Sequence, residues 1–166
     1  MKKIGLLSDT HGWIYPGIFD FFEDCDEIWH AGDIGDLATL QRLEAFKPVR
    51  AVYGNIDGRD IRLECPEALS FICEGLRVSI KHIGGYPGRY ERSALVLLDR
   101  EKPGLFIAGH SHILKIMNDY KRDMLYMNPG AAGKTGLHRL ITCIRFSVEG
   151  GSVYGPEVLE KSRNTI

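Results

Sequence analysis

The chain has 166 residues and a net charge of −1, from 21 lysines and arginines against 22 aspartates and glutamates. Hydrophobic residues are 44% and charged residues 26%, which excludes a disordered, collagenous or coiled-coil chain. The even charge argues against non-specific nucleic-acid binding, which draws on a basic excess.

The length fits a single domain over residues 1–166, with a polar and loose tail from about residue 156. No apolar run reaches the length of a membrane span, so no membrane partner is expected. Cys25, Cys65, Cys73 and Cys143 form no C-x-x-C pair. They read as reduced, buried residues of a cytoplasmic protein.

In chain order, Lys3–Ser8 is an apolar run of strand length. Tyr15–Cys25 carries Ile18, Phe19 and Phe22 at helical spacing. Glu27–His30 reads as a strand, Leu37–Phe46 as a helix with one apolar stripe, and Val49–Tyr53 as a third strand. This βαβαβ rhythm predicts parallel strands with right-handed crossovers. Leu69–Cys73 and Leu76–Ile80 flank Glu74-Gly75 and predict a hairpin. Arg89–Glu101 reads as a helix closed by Pro103-Gly104. Short strands follow at Leu105–Ala108, Ile113–Asn118, Met124–Met127, Leu140–Ser147 and Ser152–Tyr154.

Chemistry-bearing residues stand just after strands: Asp9 and His11, Asp33, Asn55 and Asp57, His82, and His110 with His112. In open α/β sheets ligands bind outside the carboxyl ends of strands. In extended backbone, residues i and i+2 point the same way. On that basis Asp9 would converge with His11, and His110 with His112. Carboxylate, amide and imidazole without cysteine suit a hydrolytic centre better than a structural thiolate zinc. Asp9, His11, Asp33, Asn55, His82, His110 and His112 are too many for one ion. Two ions about 3.5–4 Å apart would share them, with one carboxylate between, Asp33 being the natural choice.

D-x-H, G-D, G-N-x-D, H and G-H-x-H, in that order, resemble the calcineurin-like metallophosphoesterases, most of all their small bacterial and archaeal phosphodiesterase branch. The resemblance runs from Lys3 to about Arg139. It implies a four-layer αββα sandwich, with two mixed β-sheets flanked by helices. It implies Asp9, His11, Asp33 and His112 around a first metal, and Asp33, Asn55, His82 and His110 around a second. Manganese is the first choice, with nickel, cobalt, iron or zinc as alternatives. The implied activity is hydrolysis of small phosphodiesters by a hydroxide shared between the metals. Asn55 and Asp57 form the catalytic pair, with Asn55 facing the phosphate and Asp57 orienting a neighbour. The rival reading is a scaffold like the retromer subunit of the same fold. A homo-oligomer is compatible with either.

Two positions depart from the family pattern. Ile56 stands where a proton-donating histidine or cysteine is usual, and Gly84 replaces a second histidine after His82. Of the remaining histidines, His30 reads as a buried hydrogen-bonding residue. His138 reads as a plain loop residue, with substrate contact as the sharper alternative. Arg59, Asp60 and Arg62 look like a solvated face.

Overall fold

A computed structural model describes all residues, Met1–Ile166. The first half alternates as predicted through β1 (Lys2–Leu7), α1 (Gly17–Phe21), β2 (Glu27–His30), α2 (Leu37–Phe46) and β3 (Val49–Ala51), and adds a helix the sequence reading did not give, α3 (Arg59–Glu64). The second half holds β4 (Ala68–Cys73), β5 (Leu76–Lys81), β6 (Gly85–Tyr86), β7 (Arg89–Tyr90), α4 (Arg92–Glu101) and β8 (Leu105–Ile107). It closes with β9 (Leu114–Asp119), β10 (Met124–Pro129), β11 (Leu140–Glu149) and β12 (Ser152–Ser162).

Two five-stranded mixed sheets result, in orders β12-β11-β1-β2-β3 and β4-β5-β8-β10-β9. Strands β1, β2 and β3 are parallel, as are β5, β8 and β10. Strand periodicity explains the layering. Ile4 and Leu6 of β1, Val78 and Ile80 of β5, and Leu105 and Ile107 of β8 meet in one cluster between the sheets. The alternate residues face outward. Leu7 packs with Ile18 and Phe22 around α1, and Phe106 packs with Ala94, Leu97 and Leu98 of α4. Helix, sheet, sheet and helix are therefore stacked in the four layers that the family resemblance implied.

Local departures have local causes. The first helix shortens to Gly17–Phe21, and α4 starts at Arg92 because Arg89–Tyr90 pairs with Gly85–Tyr86 instead. The β4–β5 turn has Glu74 at φ +47 and Gly75 at φ +81, the mirror-image geometry that fits strand twist. The solvated face at Arg59–Arg62 belongs to α3, a helix with only Ile61 buried.

The loose tail is the main correction. Residues to Ser162 continue β12 against β11, from Glu149↔Ser152 to Leu140↔Ser162. The register shifts between Arg145 and Ser147, where Gly155 and Pro156 bulge out. A bulge on an edge strand accepts a residue without an N–H, so Pro156 interrupts the ladder without ending it. No helix is long and apolar enough to cross a membrane. All four cysteines are free and buried.

Candidate metal centre

The carboxyl ends of β1, β2, β3, β5 and β8 open onto one rim, and the loops after them carry the candidate ligands. The ligand atoms of Asp9, His11 and His112 lie within 4.8 Å of one another, and so do those of Asp33, His82 and His110. Asn55 joins the second group: its Oδ1 is 3.1 Å from His82 Nε2 and 3.0 Å from His110 Nδ1. Asp33 Oδ2 spans both, 3.5 Å from His11 Nε2 and 3.2 Å from His82 Nε2.

The two-residue spacing works differently from its extended-chain reading. Asp9, His11, Asp33, His110 and His112 all have positive φ, between +48 and +68. Left-handed backbone in non-glycine residues costs of order 1–3 kcal/mol each and clusters at functional sites. Asp9 and His11 still share a group. His110 and His112 do not: turned one after the other, they fall into different groups.

Each carboxylate is fixed by one oxygen and presents the other. Asp9 Oδ2 accepts from Ser8 Oγ at 2.6 Å and from the His110 N–H at 3.1 Å. Its Oδ1 is buried and has no hydrogen-bond partner, and neither does His11 Nε2. Asp33 Oδ1 accepts from the Ile56 N–H at 3.0 Å, which leaves Oδ2 toward the histidines. His82 Nδ1 donates to the Ala31 carbonyl at 2.7 Å, so its proton sits there and Nε2 faces Asp33. Unpartnered buried polar atoms are costly, and a divalent cation bound by them would remove that cost. The donor set therefore fits two oxygen- and nitrogen-ligated metals.

Burial pushes the Asp9 and Asp33 carboxyls toward the neutral form, but the facing histidines outweigh it and hold both well below the usual range. Burial also disfavours charge on His82, yet Asp33 and Asp9 hold its pKa above the ordinary value. Asp33, then Asp9, raises His11 to about 9. With a metal-free pKa above the usual 6.5, His11 carries a proton at pH 7, and a ligating imidazole must lose it. Metal uptake at pH 7 is thus expected to release protons. Apparent affinity should climb with pH until about 9, where this gain ends. Calorimetric titration in buffers of different ionisation enthalpy measures the release. Uptake at pH 7 without it would contradict the assignment of His11.

Residues 1–151 match the family described as the calcineurin-like phosphoesterase superfamily domain. The chain belongs to this superfamily. A probable metallophosphoesterase of Methanothermobacter thermautotrophicus is 37% identical over 134 residues, covering 77% of this chain and 76% of that protein. Among solved structures, Chaetomium thermophilum Vps29 superimposes with a TM-score of 0.75 at 15% identity, covering 97% of each chain. A novel archaeal phosphodiesterase superimposes with a TM-score of 0.72 at 24% identity, over 95% of this chain and 99% of that one.

Against the superfamily pattern, Gly84 is not a simple loss. A Cβ there would lie 2.7 Å from the Phe106 ring, so the packing of β8 leaves no room for a histidine. Ile56 is exposed beside Asn55 and has no proton to give. Asn128, which the sequence reading did not single out, donates to the Gly109 carbonyl at 3.0 Å and to Ser111 Oγ at 3.1 Å, shaping the His110–His112 loop. His30 is buried as expected. Its Nδ1 accepts from the Gly32 N–H and its Nε2 meets Thr10 Oγ1, whose hydroxyl donates to the Ile34 carbonyl. His138 has both ring nitrogens engaged, Nδ1 at 3.1 Å from His112 Nδ1 and Nε2 at 2.7 Å from the Gly133 carbonyl.

Asp57 takes the orienting role expected of it, and not a substrate-facing one. Both its oxygens are taken by backbone: Oδ1 accepts from the Gly35 N–H at 2.8 Å, and Oδ2 from Ile34 at 3.1 Å and Gly54 at 2.8 Å. It staples the Asp33 loop to the Asn55 loop and has no oxygen left for substrate. Asp57→Ala would strand three amides, each worth about 1–3 kcal/mol when unsatisfied and buried. A loss of about 3–5 kcal/mol is expected in urea unfolding of metal-free protein, comparable to the stability of many domains. Asp57→Asn, which keeps one acceptor oxygen, should lose less. A change under about 1 kcal/mol for the alanine variant would mean the loops are held by something else.

Proposed function

We propose that the chain is a phosphodiesterase that binds two divalent metals, manganese first, and hydrolyses small phosphodiesters in the cytoplasm. The observation that carries this reading is one carboxylate oxygen, Asp33 Oδ2, within 3.5 Å of a histidine nitrogen from each of two ligand groups. Bound metals would supply Lewis acidity and charge neutralisation at a phosphoryl group.

The protein's own contribution is positional. Asp9, His11 and His112 would hold one ion, and Asn55, His82 and His110 the other, with Asp33 shared. Ser8, the Ile56 amide and the Ala31 carbonyl hold Asp9, Asp33 and His82 with their unused atoms inward. Phosphoryl transfer depends mainly on such positioning and on charge. A cavity of about 290 Å³ shares Asn55 and His82 with the centre and is walled by Tyr53, Arg62, Lys81 and Ile83. Its size suits a small ester substituent, and Arg62 and Lys81 suit an anionic substrate.

A scaffold like Vps29 would need only the fold, and loss of ligand residues would favour it; here all seven ligand positions carry a metal-binding side chain. Four free, buried cysteines are in keeping with a reducing compartment.

The test combines metal analysis with assays on nitrophenyl mono- and diesters. Chelation should abolish activity, Mn, Ni or Co should restore it, and diesters should be the better substrates. Full activity in rigorously metal-free protein, or cleavage of monoesters alone, would overturn the reading.

A further inference from the structure

The loop between β10 and β11 returns beneath the first ligand group. His138 on this loop lies with its Nε2 2.7 Å from the Gly133 carbonyl and its Nδ1 3.1 Å from His112 Nδ1. A carbonyl only accepts, so His138 Nε2 carries a proton. In the neutral ring Nδ1 is then a bare acceptor. His112 Nδ1 must donate to it, which leaves His112 Nε2 without a proton. That nitrogen stands 3.1 Å from Asp9 Oδ1, an oxygen with no hydrogen-bond partner. Two lone pairs thus face each other across the space where a cation would sit.

We propose that His138 is a positioning residue of the metal centre. It fixes His112 as the Nδ1–H tautomer and holds its ring so that Nε2 joins Asp9 and His11. The inference rests on the two-metal reading above. Which imidazole nitrogen ligates is set by the hydrogen bond that the other one makes.

The surroundings are built for this contact. The two rings meet edge to face, with centroids 5.0 Å apart. Gly136, at φ +136, lies against both: a Cβ there would be 2.6 Å from His112 Nδ1 and 2.9 Å from His138 Nδ1. Only glycine lets the backbone approach so closely. Arg163, just past β12, donates to the Gly136 carbonyl and pins the loop from outside. The paired tail of the chain therefore reaches the centre through Gly136 and His138.

The test uses zinc, which is diamagnetic, and has two readouts independent of turnover. Long-range ¹H–¹⁵N correlation on the zinc-loaded wild type should show the His138 ring proton on Nε2 and the His112 proton on Nδ1. The opposite tautomer in either ring, or a cationic His138 at neutral pH, would overturn the inference. In competition titrations with a chromophoric chelator, His138→Ala should weaken one of two bound zinc ions by about 10–100-fold and spare the other. His138→Asn, whose Oδ1 can accept in place of Nδ1, should recover most of that loss.

Unchanged binding in His138→Ala, or an asparagine variant as weak as the alanine one, would also overturn it. Circular dichroism checks that both variants fold. If His138→Ala does not, the wild-type tautomers and the asparagine variant still decide. A wild type that binds no zinc would remove the two-metal reading itself. A wild type that binds two, with His138→Ala unchanged, would remove only this inference.

Discussion

Asp33→Ala is expected to lose both metals and with them nearly all turnover. Asp33 Oδ2 is the carboxylate oxygen nearest to both groups at once, at 3.5 Å from His11 Nε2 and 3.2 Å from His82 Nε2. Removing it would leave four histidines around a centre with one carboxylate, Asp9. The charge that holds two dications close together would be halved. The rate should fall by at least about 10³, or about 4 kcal/mol in transition-state stabilisation. His82→Ala is the contrast: it touches one group, so one metal should remain bound. Metal analysis and competition titration distinguish the two variants. Finding two tightly held ions in Asp33→Ala would show that another oxygen spans the groups. Asp9 Oδ1, 3.9 Å from His82 Nε2, would be the first place to look.

The parts of this architecture that were legible in the sequence are those set by local pattern. Lys3–Ser8, Glu27–His30 and Leu105–Ala108 read as strands because they are short apolar runs ended abruptly by polar residues or glycine. The same abrupt endings placed Asp9, Asp33 and His110 at one rim, since parallel strands put their carboxyl ends together. What stayed illegible depends on contacts between distant segments. Residues after Pro156 are polar because β12 is an edge strand, and the backbone ladder to β11 needs no apolar side chains. The brief α3 leaves a signature of one buried residue, Ile61.

The site shows the same division. Its residue types and order could be read, but its backbone could not. Left-handed conformations at Asp9, His11, Asp33, His110 and His112 leave no periodic trace in sequence. Their one precursor signal is chemical: aspartate and histidine, with asparagine, are the non-glycine residues that tolerate this region best. Asp57 could be read as a residue that orients a neighbour, but not which neighbours: its oxygens serve amides that the fold brings back from Ile34 and Gly35. His138 gave no signal either, since its partner lies on another loop, 26 residues earlier.

Ile56 leads to the other large effect. It stands next to Asn55, the residue is 47% exposed, and its backbone amide is committed to Asp33 Oδ1. The position therefore borders the rim but offers no proton to a departing oxygen. Gly84, the other place where a histidine is usual, is sealed by Phe106. His138 is engaged with His112 and Gly133. A phosphodiester would thus lose its leaving group nearly unassisted. Nitrophenyl diesters should be cleaved well and alkyl diesters slowly, with a steep dependence on leaving-group pKa. General acid catalysis contributes about 10²–10⁴ in rate, so a donor in the right place has that much to restore for poor leaving groups. Ile56→His should flatten the dependence by accelerating the alkyl esters while leaving the nitrophenyl esters almost unchanged. The side chain is exposed, so the exchange should not disturb the core, and equal metal content in both proteins makes the comparison fair. A shallow dependence already present in the wild type would mean that a proton reaches the leaving oxygen by another route. The cavity beside Asn55, where Lys81 and Ser93 line the wall, would then be the region to mutate next.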